Sequence, residues 1–272
     1  MDTNIKSYAH VPPPYQEALE LLQNILNLQT GWADKAVSSL QIDRVVAHAR
    51  WSTGRPLLTD ERPTPSPSWF RGAVDDLHGL LPPGTPVQAA LDRLICSNLL
   101  KPPNIDTLLG GLFDDSDACI QQMVDATSTP PDIQVLLLQT ILTPFYQKQI
   151  APYRAWFDPA TWRRSICPMC GSEPRMARLS GENGQRFLAC FLCRTEWRFD
   201  RLRCPFCEKG EQPQLRYFTL DGDQAHRVDC CDHCHRYIKT VDERVLGYPT
   251  NLLVEDVITA PMEGLAREHG FQ

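Results

Sequence analysis

Hydrophobic residues recur every three or four positions through much of the first 160 residues, which is the spacing of one helix face. The pattern predicts a first helix from Tyr15 to Thr30 that ends at Gly31. A second predicted helix begins at Asp34 and ends near Arg50. The alternating prolines of segment 62–68 are incompatible with a helix and predict a loop or linker.

Proline and its capping partners mark the remaining helices of this half. Thr85 followed by proline is typical of a helix start, and we predict a helix from there to about residue 96. Segment 133–150 is strongly apolar, and Pro144 is expected to kink or divide it. Asp158 resembles the cap of a final short helix. Residues 1–160 are therefore predicted to form an α-helical domain.

Beyond residue 160 the pattern changes to short strand-like pieces between cysteine pairs and turns. We predict strands over 186–189, 195–199, 215–220 and 235–240. Segment 252–268 returns to helical spacing, is interrupted at Pro261, and is expected to pack back on the rest of the chain. The fold class predicted is α+β.

Cysteine is concentrated in this second part. The chain has 11 cysteines in 272 residues, and nine of them lie within 68 positions. Eight form four Cys-x-x-Cys pairs: Cys167/Cys170, Cys190/Cys193, Cys204/Cys207 and Cys231/Cys234. The first and second pairs are separated by 19 residues, and the third and fourth pairs by 23. Ten residues lie between the second and third pairs. This spacing predicts two tandem ribbons, each with a four-sulfur metal site.

The ligand set leaves the metal open. Four thiolates suit zinc, a single iron of rubredoxin type or a bridged iron–sulfur cluster. Cys230 adjoins Cys231, so it could replace one member of the last pair, with His233 or His235 as further ligand candidates, although the two-residue spacing favours Cys231. Cys96 and Cys119 are interpreted as small residues of helix cores.

Charge and hydropathy exclude several classes of protein. The net charge of −6 belongs to residues 1–160, which hold 17 acidic and 11 basic side chains, whereas residues 161–272 hold 16 of each. Such acidity argues against nucleic-acid binding. Residues 161–240 hold four more basic than acidic side chains, which would neutralise thiolate sites or form a partner surface. No apolar run reaches about 18 residues and the first residues lack signal-peptide features, so we predict a cytoplasmic protein without membrane insertion.

The sequence shows no motif of an enzyme. It has no recognisable nucleophilic triad, phosphate-binding glycine loop or dinucleotide fingerprint. We therefore predict no catalytic and no organic-cofactor residues.

The residues that flank the cysteines resemble those of one family. The sequence reads CPMCGSEP from Cys167, CFLCRTEW from Cys190, CPFC from Cys204 and CDHCHRYIK from Cys231. These motifs, their order and a closing segment that ends at Phe271 resemble the FdhE family of formate dehydrogenase accessory proteins. The resemblance is specific over about residues 160–271 and general before them.

This resemblance implies a function and a domain layout. Members of the family are cytoplasmic, bind iron in rubredoxin-like sites, and contact the molybdopterin-containing catalytic subunit of formate dehydrogenase, which needs them for activity. The eight paired cysteines would then hold two mononuclear irons, with zinc as the alternative, and the family pattern supports Cys231 over Cys230. The predicted domains are a helical domain (1–160), two ribbons (161–200 and 201–245) and a C-terminal helix (246–272).

Three functions follow from these observations. The first is a non-enzymatic maturation factor that contacts its client through the bridge between the two sites, by Trp197, Arg198, Arg201 and Arg203. The alternative for these residues is that Trp197 packs inside the ribbon and the arginines neutralise the sites. The second function is a redox-active donor of electrons or thiols to the client. A nucleic-acid-binding zinc ribbon is the third, and the acidic charge disfavours it.

Overall fold

The computed structural model describes residues 13–112, 116–210 and 215–272. They form two compact units that do not follow the order of the sequence. One unit holds residues 24–41 and 60–152. The other holds the described residues up to Gln23, segment 42–59 and residues 153–272. The predicted domain boundaries after residues 160, 200 and 245 stay a prediction.

Helices dominate the chain before residue 151. Their bounds are α1 Gln16–Lys35, α2 Arg44–Ser52, α3 Pro67–Leu80, α4 Pro86–Cys96, α5 Asn104–Gly111, α6 Ser116–Thr127 and α7 Pro131–Ile150. In the unit that holds α3 to α7, the core consists of fully buried side chains such as Phe70, Leu91, Leu108, Met123 and Leu137. This half is helical, as the hydrophobic spacing predicts.

The first two predicted helices have different bounds in the structure. The predicted stop at Gly31 is wrong, because α1 continues to Lys35 and buries Trp32, whose ring nitrogen donates to Asp76 at 2.9 Å. Asp34 therefore lies inside α1, and Asp43 caps α2 by accepting from the amide of Val45 at 2.7 Å. Packing of a large aromatic ring outweighs the weak helix propensity of one glycine.

The structure confirms some of the predictions made at prolines and helix caps and contradicts others. Thr85 caps α4 as predicted, with its hydroxyl accepting from the amide of Gln88 at 3.2 Å. The loop predicted over 62–68 is wrong at its end, because Ser66 caps α3 and Pro67 and Ser68 already lie in its first turn, where proline is tolerated. Pro144 does not divide α7, whose surrounding residues are buried. Asp158 caps a turn rather than a helix, by accepting from the amide of Ala160.

The second half of the chain builds one mixed sheet. Its strands are β1 Pro174–Ser180, β2 Gln185–Cys190, β3 Glu196–Phe199, β4 Leu215–Phe218, β5 His226–Cys231 and β6 Arg236–Asp242, in the order β3-β2-β1-β6-β5-β4. The four predicted strands are confirmed as β2, β3, β4 and β6. Neighbouring strands are antiparallel except β1 and β6, which pair in parallel and join the two ribbons. The fold class α+β is confirmed.

Three short helices follow the sheet: α8 Glu243–Leu246, α9 Leu252–Ile258 and α10 Pro261–Glu268. The predicted interruption at Pro261 is confirmed, since Pro261 begins α10. Met262 and Ala266 of α10 are buried with Val228, Cys230 and Phe271 in one apolar cluster. The closing segment thus packs on the sheet, as predicted.

Buried ion pairs fix α9 and α10 to the sheet. Lys239 of β6 is only 2% exposed, and its amino group contacts Asp256 at 2.6 Å and Glu263 at 2.7 Å. Arg175 of β1 contacts the same two carboxylates at 3.0 and 3.1 Å. Two cations and two anions therefore balance one another between the strands and the helices.

A histidine between two carboxylates makes a further link to α9. The ring nitrogens of His226 lie 2.8 Å from Asp223 and 2.7 Å from the buried carboxylate of Glu255. Burial disfavours the protonated ring, but the hydrogen bonds and charges of Glu255 and Asp223 together outweigh it and raise the pKa of His226 above 6.5. The imidazolium therefore stabilises the folded state.

This histidine is expected to make stability depend on pH. A raised folded-state pKa gives stability that is fully present below the unfolded value of about 6.5 and is lost as pH rises through the folded value. We expect the free energy of unfolding to fall as pH rises above about 6.5. His226→Gln should lower stability by about 2 kcal/mol at pH 6 and flatten this decline. Urea unfolding measures both.

The matched control is His78→Gln, because His78 contacts Asp92 at 2.7 Å in a more exposed pair. An equal change of slope in both variants would show that Glu255 does not cause the pH dependence.

Candidate metal centres

All four Cys-x-x-Cys pairs adopt the same turn. The residue after the second cysteine has a positive φ in each: Gly171 (83°), Arg194 (57°), Glu208 (59°) and His235 (54°). At Gly171, Glu208 and His235, the amide of that residue donates to the carbonyl of the first cysteine at 2.9–3.0 Å. The turn therefore points both sulfurs of a pair to one side.

The first cluster brings together the sulfurs of Cys167, Cys170, Cys190 and Cys193. The Sγ atoms of Cys167 and Cys193 are 3.5 Å apart, and those of Cys170 and Cys190 are 3.4 Å apart. Backbone amides also point at the sulfurs, since Met169 donates to Cys167 Sγ at 3.4 Å. All four sulfurs lie within 4.8 Å of one another.

The second cluster repeats this arrangement with Cys204, Cys207, Cys231 and Cys234. The sulfur distances are 3.6 Å for Cys204 to Cys234 and 3.7 Å for Cys207 to Cys231. Cys207 and Cys234 are half-buried, whereas three of the four cysteines in the first cluster are buried. The two clusters therefore differ in access to solvent.

The geometry and chemistry of both clusters fit a tetrahedral metal ion. For a metal–sulfur bond of about 2.3 Å, the sulfurs of such a site lie about 3.8 Å apart. Burial raises the pKa of the Cys167 and Cys190 thiols, and a cation between them would stabilise the thiolates instead. Two four-cysteine clusters could thus hold metal ions, and they contain the eight predicted ligands. Ligation by these residues stays a prediction.

The other cysteines lie outside the clusters. Cys230 is buried in the apolar cluster of α10, and burial raises its pKa to about 12. The amide of His235 donates to the carbonyl of Cys231, not to that of Cys230. The fourth cysteine turn therefore begins at Cys231. Cys119 is buried as predicted, but the interpretation of Cys96 as a core residue is wrong, because its side chain is exposed at the end of α4.

Segment 51–58 covers the first cluster, a feature that sequence reasoning missed. The amide of Leu57 and the ring nitrogen of Trp51 both donate to the carbonyl of Pro168, at 2.8 and 3.0 Å. Leu58 donates to the carbonyl of Met169 at 2.9 Å. The only signal was a tryptophan far from the cysteines in sequence, which does not predict such a contact.

The bridge between the clusters is partly structural. Trp197 is fully buried and its ring nitrogen donates to the carbonyl of Arg164 at 2.9 Å, so it packs inside the sheet region and is no surface residue. Arg203 contacts Glu208 at 3.0 Å and stabilises the third cysteine turn. Arg198 is half-buried and Arg201 is exposed, so these two remain available at the surface.

The cover over the first cluster predicts unequal metal release. In zinc-loaded protein, a competing chelator should empty the second site more than about tenfold faster, because about 2 kcal/mol of added hydrogen bonding protects the first. Trp51→Phe, which removes one of these bonds, should speed only the slow phase. The matched control is Trp69→Phe, whose ring nitrogen donates to Trp32 instead. A single release phase in the wild-type protein would contradict the difference.

The region of the first cluster matches a known family. Residues 166–201 match the family model of the FdhE central domain. The first cluster therefore lies in a part of the chain that is similar to the FdhE central domain. The fold is also that of the FdhE protein from Pseudomonas aeruginosa, with a TM-score of 0.62 at 20% identity over 95% of this chain and 86% of that one.

Sequence relatives in the FdhE family match part of the chain. The FdhE homologue of Aquifex aeolicus is 32% identical over 137 residues, which is 49% of this chain and 46% of that protein. FdhE of Escherichia coli K12 is 40% identical over 80 residues, 28% of this chain and 25% of that protein. The matched parts thus span less than half the length of these relatives.

Within the described ranges, every helix is too short or too polar to cross a bilayer.

Proposed function

We propose that this chain is a non-enzymatic maturation factor that binds the catalytic subunit of formate dehydrogenase in the cytoplasm. The observation that carries the proposal is the pair of four-cysteine clusters, the first of which lies in the FdhE central domain match. The FdhE family that the cysteine motifs resemble consists of formate dehydrogenase accessory proteins. The client and the location come from that resemblance.

Both clusters are proposed to hold one iron each, with zinc as the alternative occupant. Each cluster supplies four sulfurs, which complete a tetrahedral shell and leave no open position for a substrate. This favours a role in binding over a role in catalysis. When bound, iron in such a site supplies one-electron chemistry.

The proposed client surface is the exposed part of the bridge between the clusters. Arg198 and Arg201 are the basic residues there that the structure leaves available, and Leu202 beside them is 69% exposed. Arginine is enriched at protein interfaces and among the residues that dominate binding, and a partner that covered Arg201 would also bury the exposed Leu202. Trp197 is not part of this surface.

The test is co-purification of the formate dehydrogenase catalytic subunit with the tagged protein, purified without oxygen. We expect wild-type protein to retain the subunit, and the double variant Arg198→Glu, Arg201→Glu to retain less than about a tenth of it. Arg71→Glu on the exposed side of α3 is the control. Unchanged retention by the double variant, with unchanged metal content, would show that the bridge is not part of the interface. No retention by wild-type protein would contradict the proposal that formate dehydrogenase is the client.

A second candidate function is electron transfer to the client. It is favoured by the half-buried Cys207 and Cys234, because an ion that they held would lie near the surface. Iron in anaerobically purified protein with a reversible potential would support it. Tightly bound zinc without a redox signal would contradict it.

A further inference from the structure

A cavity of about 270 Å³ lies beside the second cysteine cluster, between segment 201–206 and strands β4 and β5. This volume is close to the lower end for small-molecule pockets, about 300 Å³. Six arginines line it: Arg186, Arg201, Arg203, Arg216, Arg227 and Arg236. Asp229 is the one acidic side chain in the lining that the described residues provide.

Half of these arginines have carboxylate partners outside the lining. The pairs are Arg203 with Glu208 at 3.0 Å, Arg216 with Asp232 at 2.9 Å and Arg236 with Glu173 at 2.6 Å. Among the described residues, the other three, Arg186, Arg201 and Arg227, share Asp229 as their one acidic neighbour in the lining. The described part of the cavity wall therefore has a surplus of two positive charges.

Arg186 is the least compensated of the three. It is 3% exposed, and its Nη2 atom lies 3.6 Å from Asp229, beyond hydrogen-bond distance. The oxygens of Asp229 already contact Arg227 at 2.9 Å and the hydroxyl of Thr240 at 2.7 Å. Within the described residues, Nε and Nη2 of Arg186 make no hydrogen bond. A buried guanidinium with so little compensation favours a further anion nearby.

Arg201 supplies a direct contact for such an anion. Its side chain is exposed at the cavity, and no ion-pair partner for it lies among the described residues. Tyr217, which is 62% exposed, adds an aromatic wall and has the guanidinium of Arg227 5.0 Å from its ring centre. The cavity therefore combines free guanidinium charge with a flat apolar surface.

We propose that this cavity binds a phosphate group, either as inorganic phosphate or as the phosphate monoester of a small molecule. A phosphate dianion matches the surplus of two charges, and guanidinium groups bind its oxygens through paired hydrogen bonds. The cavity volume admits a small molecule, whereas the net charge of −6 disfavours a long polyanion such as nucleic acid.

The competing explanation is that the arginines only neutralise the thiolates. Cys204 and Cys231 also line the cavity, and four thiolates around a divalent ion carry two negative charges. The two explanations differ for the metal-loaded protein, because neutralised arginines would leave no affinity for phosphate.

The experiment is titration calorimetry on metal-loaded protein at constant ionic strength, with inorganic phosphate and with adenosine monophosphate. We expect saturable binding of at least one of them, weakened about tenfold by Arg201→Gln, the effect of about 1.4 kcal/mol from one charged contact. Arg198→Gln changes the same charge outside the cavity lining and should leave the affinity unchanged. Far-UV circular dichroism and metal content show that each variant is folded and loaded.

Each possible result either supports or overturns the proposed phosphate site. Tighter binding of the monoester assigns the cavity to a phosphorylated small molecule, and equal or tighter binding of inorganic phosphate assigns it to the free ion. Absence of binding to the loaded protein overturns the proposal. Equal weakening by Arg198→Gln and Arg201→Gln also overturns it, because it would show attraction to the general charge of the bridge.

Discussion

Cys190→Ala is expected to reduce the bound metal from two ions per chain to one and to unfold the first ribbon. The sulfur of Cys190 lies 3.4 Å from that of Cys170, so its loss opens the four-sulfur shell of the first cluster. Metal binding contributes about 10–16 kcal/mol to small zinc peptides, as much as the entire stability of many domains. Metal analysis and circular dichroism of the purified variant measure both effects.

The matched substitution is Cys230→Ala, which removes the same atom from a buried cysteine outside the clusters. We expect it to retain two ions and to lose about 1 kcal/mol of stability through a small cavity. Two ions in the Cys190 variant, or one in the Cys230 variant, would contradict the ligand assignment.

Lys239→Met is expected to lower the free energy of unfolding by about 3 kcal/mol. The substitution keeps the volume of the side chain but leaves Asp256 and Glu263 with only Arg175 as a close cation on the sheet. Both carboxylates are largely buried, so the lost charge is not replaced by water in full. The estimate is at the lower end for a broken buried pair because Arg175 remains. Urea unfolding of the metal-loaded protein at pH 7 measures it.

Arg267→Met is the control, since Arg267 approaches Glu263 only to 3.8 Å from an exposed position. We expect it to cost less than about 0.5 kcal/mol. Equal losses in the two variants would show that burial of the lysine contributes nothing.

Local features of this protein were predictable from the sequence. Each cysteine turn was predictable from the two-residue spacing, because the two cysteines and the positive-φ residue after them lie within five consecutive positions. The cap at Thr85 and the interruption of the last helical segment at Pro261 depend in the same way on adjacent residues. The resemblance to the FdhE family rests on residues beside the cysteines, which are equally local.

Features that depend on distant residues were not predictable. The contacts of Trp51 and Leu57 with the first cluster join positions more than 100 residues apart. The continuation of α1 through Gly31 depends on burial of Trp32, whose partner Asp76 lies on α3. Strands β1 and β5 were missed because their alternation of apolar and polar residues is weak at the sequence level.

The parallel pairing of β1 with β6 has a consequence for synthesis on the ribosome. The partners of β1 in this pairing, residues 239–242, follow it by more than 60 positions. When the first ribbon emerges, that edge of β1 therefore has no strand beside it and is open to pairing with other chains. The central pair of strands, β1 with β6, can form only after both cysteine modules have been translated.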